Sequence, residues 1–312
     1  MQRYHLLLII FYCVIFVGCT TLINLNSKTA IDLPKELVSF VPYQSNPIFS
    51  GTGEDTWDKQ IRERGYIIKE GNTYHMWYTG YSPKNIAKFL GYATSEDGIK
   101  WTRYNDKPIY SANWVEDMFV VESKGKYYMF AEGRGDSAHM LISSDKIHWE
   151  ERGILDIRQT NGNPISKGAF GTPTVIIENG IWYLFYERDD RGVWLATSND
   201  QKKWVNVQDQ PVLSMGSETY DQFGIAMNQV IKYKGKYYGY YHGTGFKDWH
   251  EWSTNVAVSY DLIHWKKYGG NPIVQNNQSS GILVKDGELY RLYTMHRKVN
   301  LYFPENNSID KK

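Results

Sequence analysis

The stretch Ser95-Glu96-Asp97-Gly98-Ile99-Lys100-Trp101 decides how the chain is read, because its skeleton returns three times. It recurs as SSDKIHW from Ser143, SNDQKKW from Ser198 and SYDLIHW from Ser259. Each copy has the form S-x-D-x-x-x-W, and the copies are spaced by roughly 50–60 residues, a period that marks a repeat architecture. In such a turn the Ser and Asp side chains can accept hydrogen bonds from nearby backbone amides, while the Trp packs between sheets. The heptapeptide therefore reads as a structural staple joining outer strands.

Working outward, each staple is preceded by a pair of strands. The second strand of the pair is TYHMWYTG (73–80), KYYMFAEG (126–133), IWYLFYER (181–188), KYYGYYHG (236–243) and, a fifth time, ELYRLYTMH (288–296). A glycine-containing turn stands before each, as a tight hairpin requires. With 25 Tyr and 11 Trp among 312 residues, the composition favours pleated, half-buried surfaces. Five four-stranded units about an axis make an all-β, five-bladed β-propeller. A proline follows the staple tryptophan by seven residues at Pro108, Pro211 and Pro272, and Pro47 in NPIFS has the same setting. Residues 36–50 therefore read as an outer strand that closes the last blade and hides its edges.

The expected organisation is a lipoprotein signal peptide (1–18), a tether (19–33), the propeller (34–304) and a tail (305–312). Arg3, the apolar run LLLIIFYCVIFV and then Gly18-Cys19 form the leader pattern. The run is short for a bilayer span of ~20 residues. FVGC resembles a bacterial lipobox, with Phe16 departing from the usual aliphatic residue, and implies a lipidated Cys19 holding the protein at the bacterial envelope. Removal of Cys13 and acylation of Cys19 leave no cysteine for disulfides or thiolate catalysis. A formal charge of +1 without a basic stripe argues against nucleic acid.

The staples, with the segments YHMWYTG and VEDMFVV, resemble the five-bladed propeller glycosidases: glycoside hydrolase family 43 and its relatives, families 117 and 130. The resemblance covers about residues 36–303 and implies an axial pocket with carboxylates at the starts of the innermost strands. Independently, first strands leave one face and second strands return to it, so their starts and ends converge on one mouth. Those positions hold Arg62, Glu63, Arg64, Glu116, Asp117, Thr172, Asn228 and Gln229 at strand starts. Thr79, Glu132, Glu187, Arg188, His242, His296 and Arg297 stand at strand ends. The opposite hairpins are mostly Gly, Lys and Asn.

Glycoside hydrolysis uses two carboxyl groups, one protonated and one ionised. Strand alternation sets Asp117 and Phe119 on one side, Glu116 and Met118 on the other. The resemblance places Asp117 at the family's second-blade acid, with Met118 in place of its proline. It places Glu63 at the first-blade general base, with Asp58 as competitor. Where family 43 carries a third-blade glutamate acid, this chain has Thr172, so the general acid comes from elsewhere: Glu187 first, with Glu132 and His242 as alternatives. Arg62, Arg64 and Arg297 suit an anionic or strongly polar sugar. Trp57, Trp114, Trp249 and Trp252 are candidates for stacking on sugar rings. No cofactor or metal is demanded; related propellers sometimes hold an axial calcium ion.

The leading expectation is an exo-acting glycoside hydrolase trimming terminal sugars from plant, algal or host glycans, with an oligosaccharide or polysaccharide as its partner. A mannoside-type phosphorylase, with Arg64, Arg297 and His242 holding phosphate, is one alternative. A non-catalytic glycan-binding lipoprotein is the other.

Overall fold

The structure is a computed structural model, and residues 32–305 are described. Five small antiparallel sheets stand around a common axis as a five-bladed propeller. In blade 2, for example, Glu116–Ser123, Lys126–Gly133, Ser137–Ser143 and Glu150–Ile154 pair in chain order from the axis outward. Blade 3 carries two additions: Asp156–Arg158 lies parallel to Lys203–Asn206, and Leu213–Ser214 pairs with Gly192–Ser198. The inner hairpins turn as expected. Lys124-Gly125, Asn179-Gly180 and Lys234-Gly235 all have positive φ, the conformation of type I′ turns that matches strand twist.

The staples form as read. Asp97 Oδ1 accepts the amides of Ile99 and Lys100, both at 2.8 Å, while Ser95 Oγ accepts Gly98 N at 2.9 Å. Asp145, Asp200 and Asp261 repeat the arrangement. Three of the turns deliver their tryptophan to the neighbouring blade: Trp149 meets Trp77 edge-on at 6.0 Å, Trp204 meets Phe130 at 5.7 Å, and Trp265 meets Phe185 at 5.8 Å, while Trp101 meets Tyr74 of its own blade at 6.4 Å. Trp204 is fully buried. The core is thus a set of walls between blades, with the staples as their mortar.

The ring closes between chain ends. Phe40–Pro42 pairs with Val299–Pro304, completing the sheet that Ile282–Asp286 and Leu289–Met295 begin. The closing strand is shorter than the expected 36–50, because Lys35–Val38 forms one helical turn that buries Leu37 and Val38 beside Tyr238 and Tyr240. The expected signal peptide, Cys19, all but the last two residues of the 19–33 tether, and the tail after Glu305 lie outside the described residues. Among the described residues no helix is long and apolar enough to cross a membrane.

Candidate active site

A cavity of about 980 Å³ opens on the axis at the face where first strands start and second strands end. That is near the upper limit of ordinary ligand pockets, ~300–1,000 Å³. Of the residues named for the mouth, Arg62, Glu63, Glu116, Asp117, Glu132, Thr172, Glu187, His242, His296 and Arg297 line it.

The chain brings these side chains together by the same device in several blades. Glu63, Asp117, Thr172 and Ser280, at or just before the start of an innermost strand, sit in the left-handed region with φ of 54°, 45°, 43° and 57°. Such backbone costs of order 1–3 kcal/mol per residue and persists where the surroundings over-determine it. Here it breaks the pleat. The ladder of blade 2 slips between Glu116 and Phe119, so the expected alternation fails and Glu116 and Asp117 both face the cavity.

Electrostatics divide the cavity. On one side Arg62 lies 2.6 Å from Glu63 and 3.6 Å from Glu116, and Lys88 also pairs with Glu116. His296 Nδ1 is 3.7 Å from Glu63, and exposed Arg297 and Lys298 continue this basic rim. On the other side the carboxyls crowd. Burial, reinforced by the charge of Glu63, pushes Asp117 up to about 7, against the pull of Arg64. Burial and the charge of Asp117 raise Glu132 well above the usual carboxylate range. Glu187 is raised by burial too, but Gly171 N (2.8 Å) and Asp190 N (2.6 Å) donate to its two oxygens. It braces the loop, and that occupation makes it a poor proton donor. Gly171 makes room for both carboxyls: a Cβ would stand 1.9 Å from Glu132 Oε2 and 2.9 Å from Glu187 Oε1 and would push them aside.

Several expectations need correction. Arg64 is not at the mouth. It is fully buried on the axis, where Nη1 donates to Thr174 Oγ1 and to the carbonyls of Met227 and Asn228 at 3.0 Å each. Its Nη2 donates to the carbonyls of Asp117 and Pro173. It therefore cannot hold phosphate. Asn228 and Gln229 are buried beside it, and Gln229 ties Tyr66 to Leu283. Asp58 is no competitor for the base, being buried outside the cavity against Arg103 (2.9 Å) and Tyr78 (3.1 Å). Arg188 turns away from Glu187 and donates to the carbonyls of Ala169 and Ser166. Thr79 donates to Val115 O, also outside the lining. His242 does line the cavity, but burial drops it to about 3, and its Nδ1 accepts from Asn228 Nδ2 at 2.9 Å, so it stands as a neutral imidazole without the second, acidic proton a general acid gives. Trp57 stacks on Tyr78, and Trp114 sits between Lys88 and Arg134; only Trp249 and Trp252 reach the cavity.

Sequence reading missed further acids of the cavity, Asp136, Asp189 and Asp190. Asp190, in the turn after Glu187, has φ 54° and is pushed up to about 8 by burial and then by the charge of Glu187. The sequence hint was its place two residues after the mouth position Arg188. A carboxyl raised from 3.8 to about 8 contributes fully to stability below the unfolded value, and that contribution is lost as pH rises through this window. Asp190→Asn is therefore expected to melt with the wild type near pH 4 and above it by a margin that grows toward pH 8; thermal unfolding across pH checks it, and parallel curves would count against the placement. Among the described residues no group of three or more His, Asp or Glu is arranged to hold a metal ion.

No family model matches the chain. It is 27% identical over 281 residues to a 1,2-β-oligomannan phosphorylase of Thermoanaerobacter, spanning 79% of this chain and 90% of that one. In fold it resembles a glycosyl hydrolase from Bacteroides ovatus (TM-score 0.71, 16% identity, 88% and 96% of the two chains). A structure reported with the finding that the family 130 mannoside phosphorylases contain hydrolases targeting β-1,2 mannosidic linkages in Candida mannan superposes with a TM-score of 0.67 (16% identity, 88% and 96%). The chain is thus a five-bladed propeller similar over most of its length to a carbohydrate-active enzyme.

Proposed function

We propose that this protein cleaves β-mannosidic bonds at the ends of short mannans, with inorganic phosphate as the acceptor. The observation that carries this reading is one cavity holding both a buried, protonatable Asp117 and the cationic groups Arg62, His296, Arg297 and Lys298. Similarity to the oligomannan phosphorylase supports it. Water needs a base to become a nucleophile, whereas phosphate arrives already ionised, so phosphorolysis needs a proton donor and a cationic seat but no second catalytic carboxylate. In the step, the bond from the anomeric carbon to the leaving oxygen breaks, Asp117 gives that oxygen its proton, and a phosphate oxygen bonds to the anomeric carbon. The products are a mannose 1-phosphate and a mannan shorter by one sugar.

Hydrolysis is the second reading, favoured by Glu63, a second carboxyl of the cavity close enough for its charge to act on Asp117. Incubation with β-1,2-mannobiose, with and without phosphate, separates the two. Mannose 1-phosphate formed only when phosphate is present is expected. Free mannose released at the same rate without phosphate would establish the hydrolase instead.

A further inference from the structure

The fourth blade gives the cavity an aromatic wall that rises from floor to rim. His242 lies buried at the floor, and Trp252 meets its ring edge-on at 4.8 Å. Trp249 follows at 6.1 Å from Trp252 and is 45% exposed. Trp249 is also strained: its φ is 56°, a genuine outlier for so bulky a residue. The indole is nonetheless fixed, since Nε1 donates to Phe223 O at 3.1 Å and its backbone N donates to Phe246 O at 3.0 Å. A large aromatic face that is strained, anchored and left open to a cavity is preorganised for a ligand.

We infer that Trp249 is the stacking platform for the leaving saccharide, the ring on the far side of the cleaved bond. The inference rests on the mannoside reading above. Depth assigns the subsite. The protonatable Asp117 is 9% exposed at the cavity floor, so the sugar whose bond breaks sits low. The ring it leaves behind then lies toward the rim, where Trp249 stands. A pyranose presents an apolar C–H face that packs on an indole, and a rigid indole loses little conformational freedom in holding it.

The test compares Trp249→Ala and Trp249→Phe with the full-length wild type on two substrates. In β-1,2-mannobiose the leaving group is a sugar ring; in β-mannosyl fluoride it is a single atom. Trp249→Ala should lose roughly 10-fold in kcat/KM on mannobiose, mainly through KM, and at least several-fold less on the fluoride. Trp249→Phe should recover most of the mannobiose activity. Equal losses on both substrates, or none on mannobiose, overturn the platform. If the wild type turns over neither compound, the mannoside reading fails separately. The platform is then decided by titrating a panel of neutral oligosaccharides against indole fluorescence: a change present in the wild type and absent in Trp249→Ala upholds it, and identical titrations overturn it.

Discussion

Asp117→Asn is expected to lower turnover of β-1,2-mannobiose by about 10³-fold while leaving the protein as stable as the wild type or more so. The amide keeps the shape of the carboxyl but has no proton for the leaving oxygen, and a general acid is worth roughly 10²–10⁴ in rate. A dinitrophenyl β-mannoside, whose leaving group departs as an anion, should lose far less. The stability half follows from the surroundings. Asp117 is buried near Glu63 and Glu116, and burial with the charge of Glu63 raises it from 3.8 to about 7. Because the folded value is the higher one, its stabilising contribution is complete below pH 4 and disappears as pH climbs toward 7. The Asn variant should therefore melt with the wild type in acid and above it near pH 8. The same titration sets the alkaline limb of kcat/KM near pH 7 in the wild type, and the residual activity of the variant should lack it. Mannobiose turnover within tenfold of wild type would remove Asp117 from the mechanism.

Arg64→Met is expected to be the most damaging single change to the fold. It keeps much of the side-chain volume but deletes a guanidinium that reaches from blade 1 into blades 2, 3 and 4. The Asp117 and Pro173 carbonyls lose this donor, and each buried polar group left unpaired costs about 1–3 kcal/mol. The total, roughly 3–5 kcal/mol, corresponds to a fall of about 10 °C in Tm for a domain of this size. Arg64→Lys should recover only part of it, because one ammonium cannot occupy the positions of both Nη1 and Nη2. Activity should fall below the melting range as well, since Arg64 N donates to Asp117 Oδ1 at 3.3 Å and helps orient that carboxyl. A change in Tm of less than 2 °C in differential scanning calorimetry would show that the axis does not depend on this pin.

Arg64 also illustrates the limits of sequence reading. The staples were legible because their hydrogen bonds run two or three residues along the chain, so residue type and spacing contain the whole interaction. The hairpins were legible for the same reason, and ring closure followed from counting strands at the two ends. All but one of the partners of Arg64's guanidinium are backbone carbonyls, 53, 109, 163 and 164 residues away, and every residue possesses a carbonyl. No local pattern distinguishes such an arginine from one facing solvent. Asp58 was misplaced by the same blindness, because Arg103, the cation that neutralises it, comes from the outermost strand of its blade. The mouth residues were legible as a group, through the convergence of strand starts and ends. Which of them would be free to donate a proton was not, because it depends on backbone amides such as those of Gly171 and Asp190 that occupy Glu187.

The seam between Phe40–Pro42 and Val299–Pro304 also sets an order of events during synthesis. The strand translated among the first must wait for the one translated last, an interval on the order of tens of seconds at ordinary elongation rates. Through that time four blades can assemble as an open arc with two unsatisfied borders, and the circle locks only once Val299–Pro304 has emerged from the ribosome.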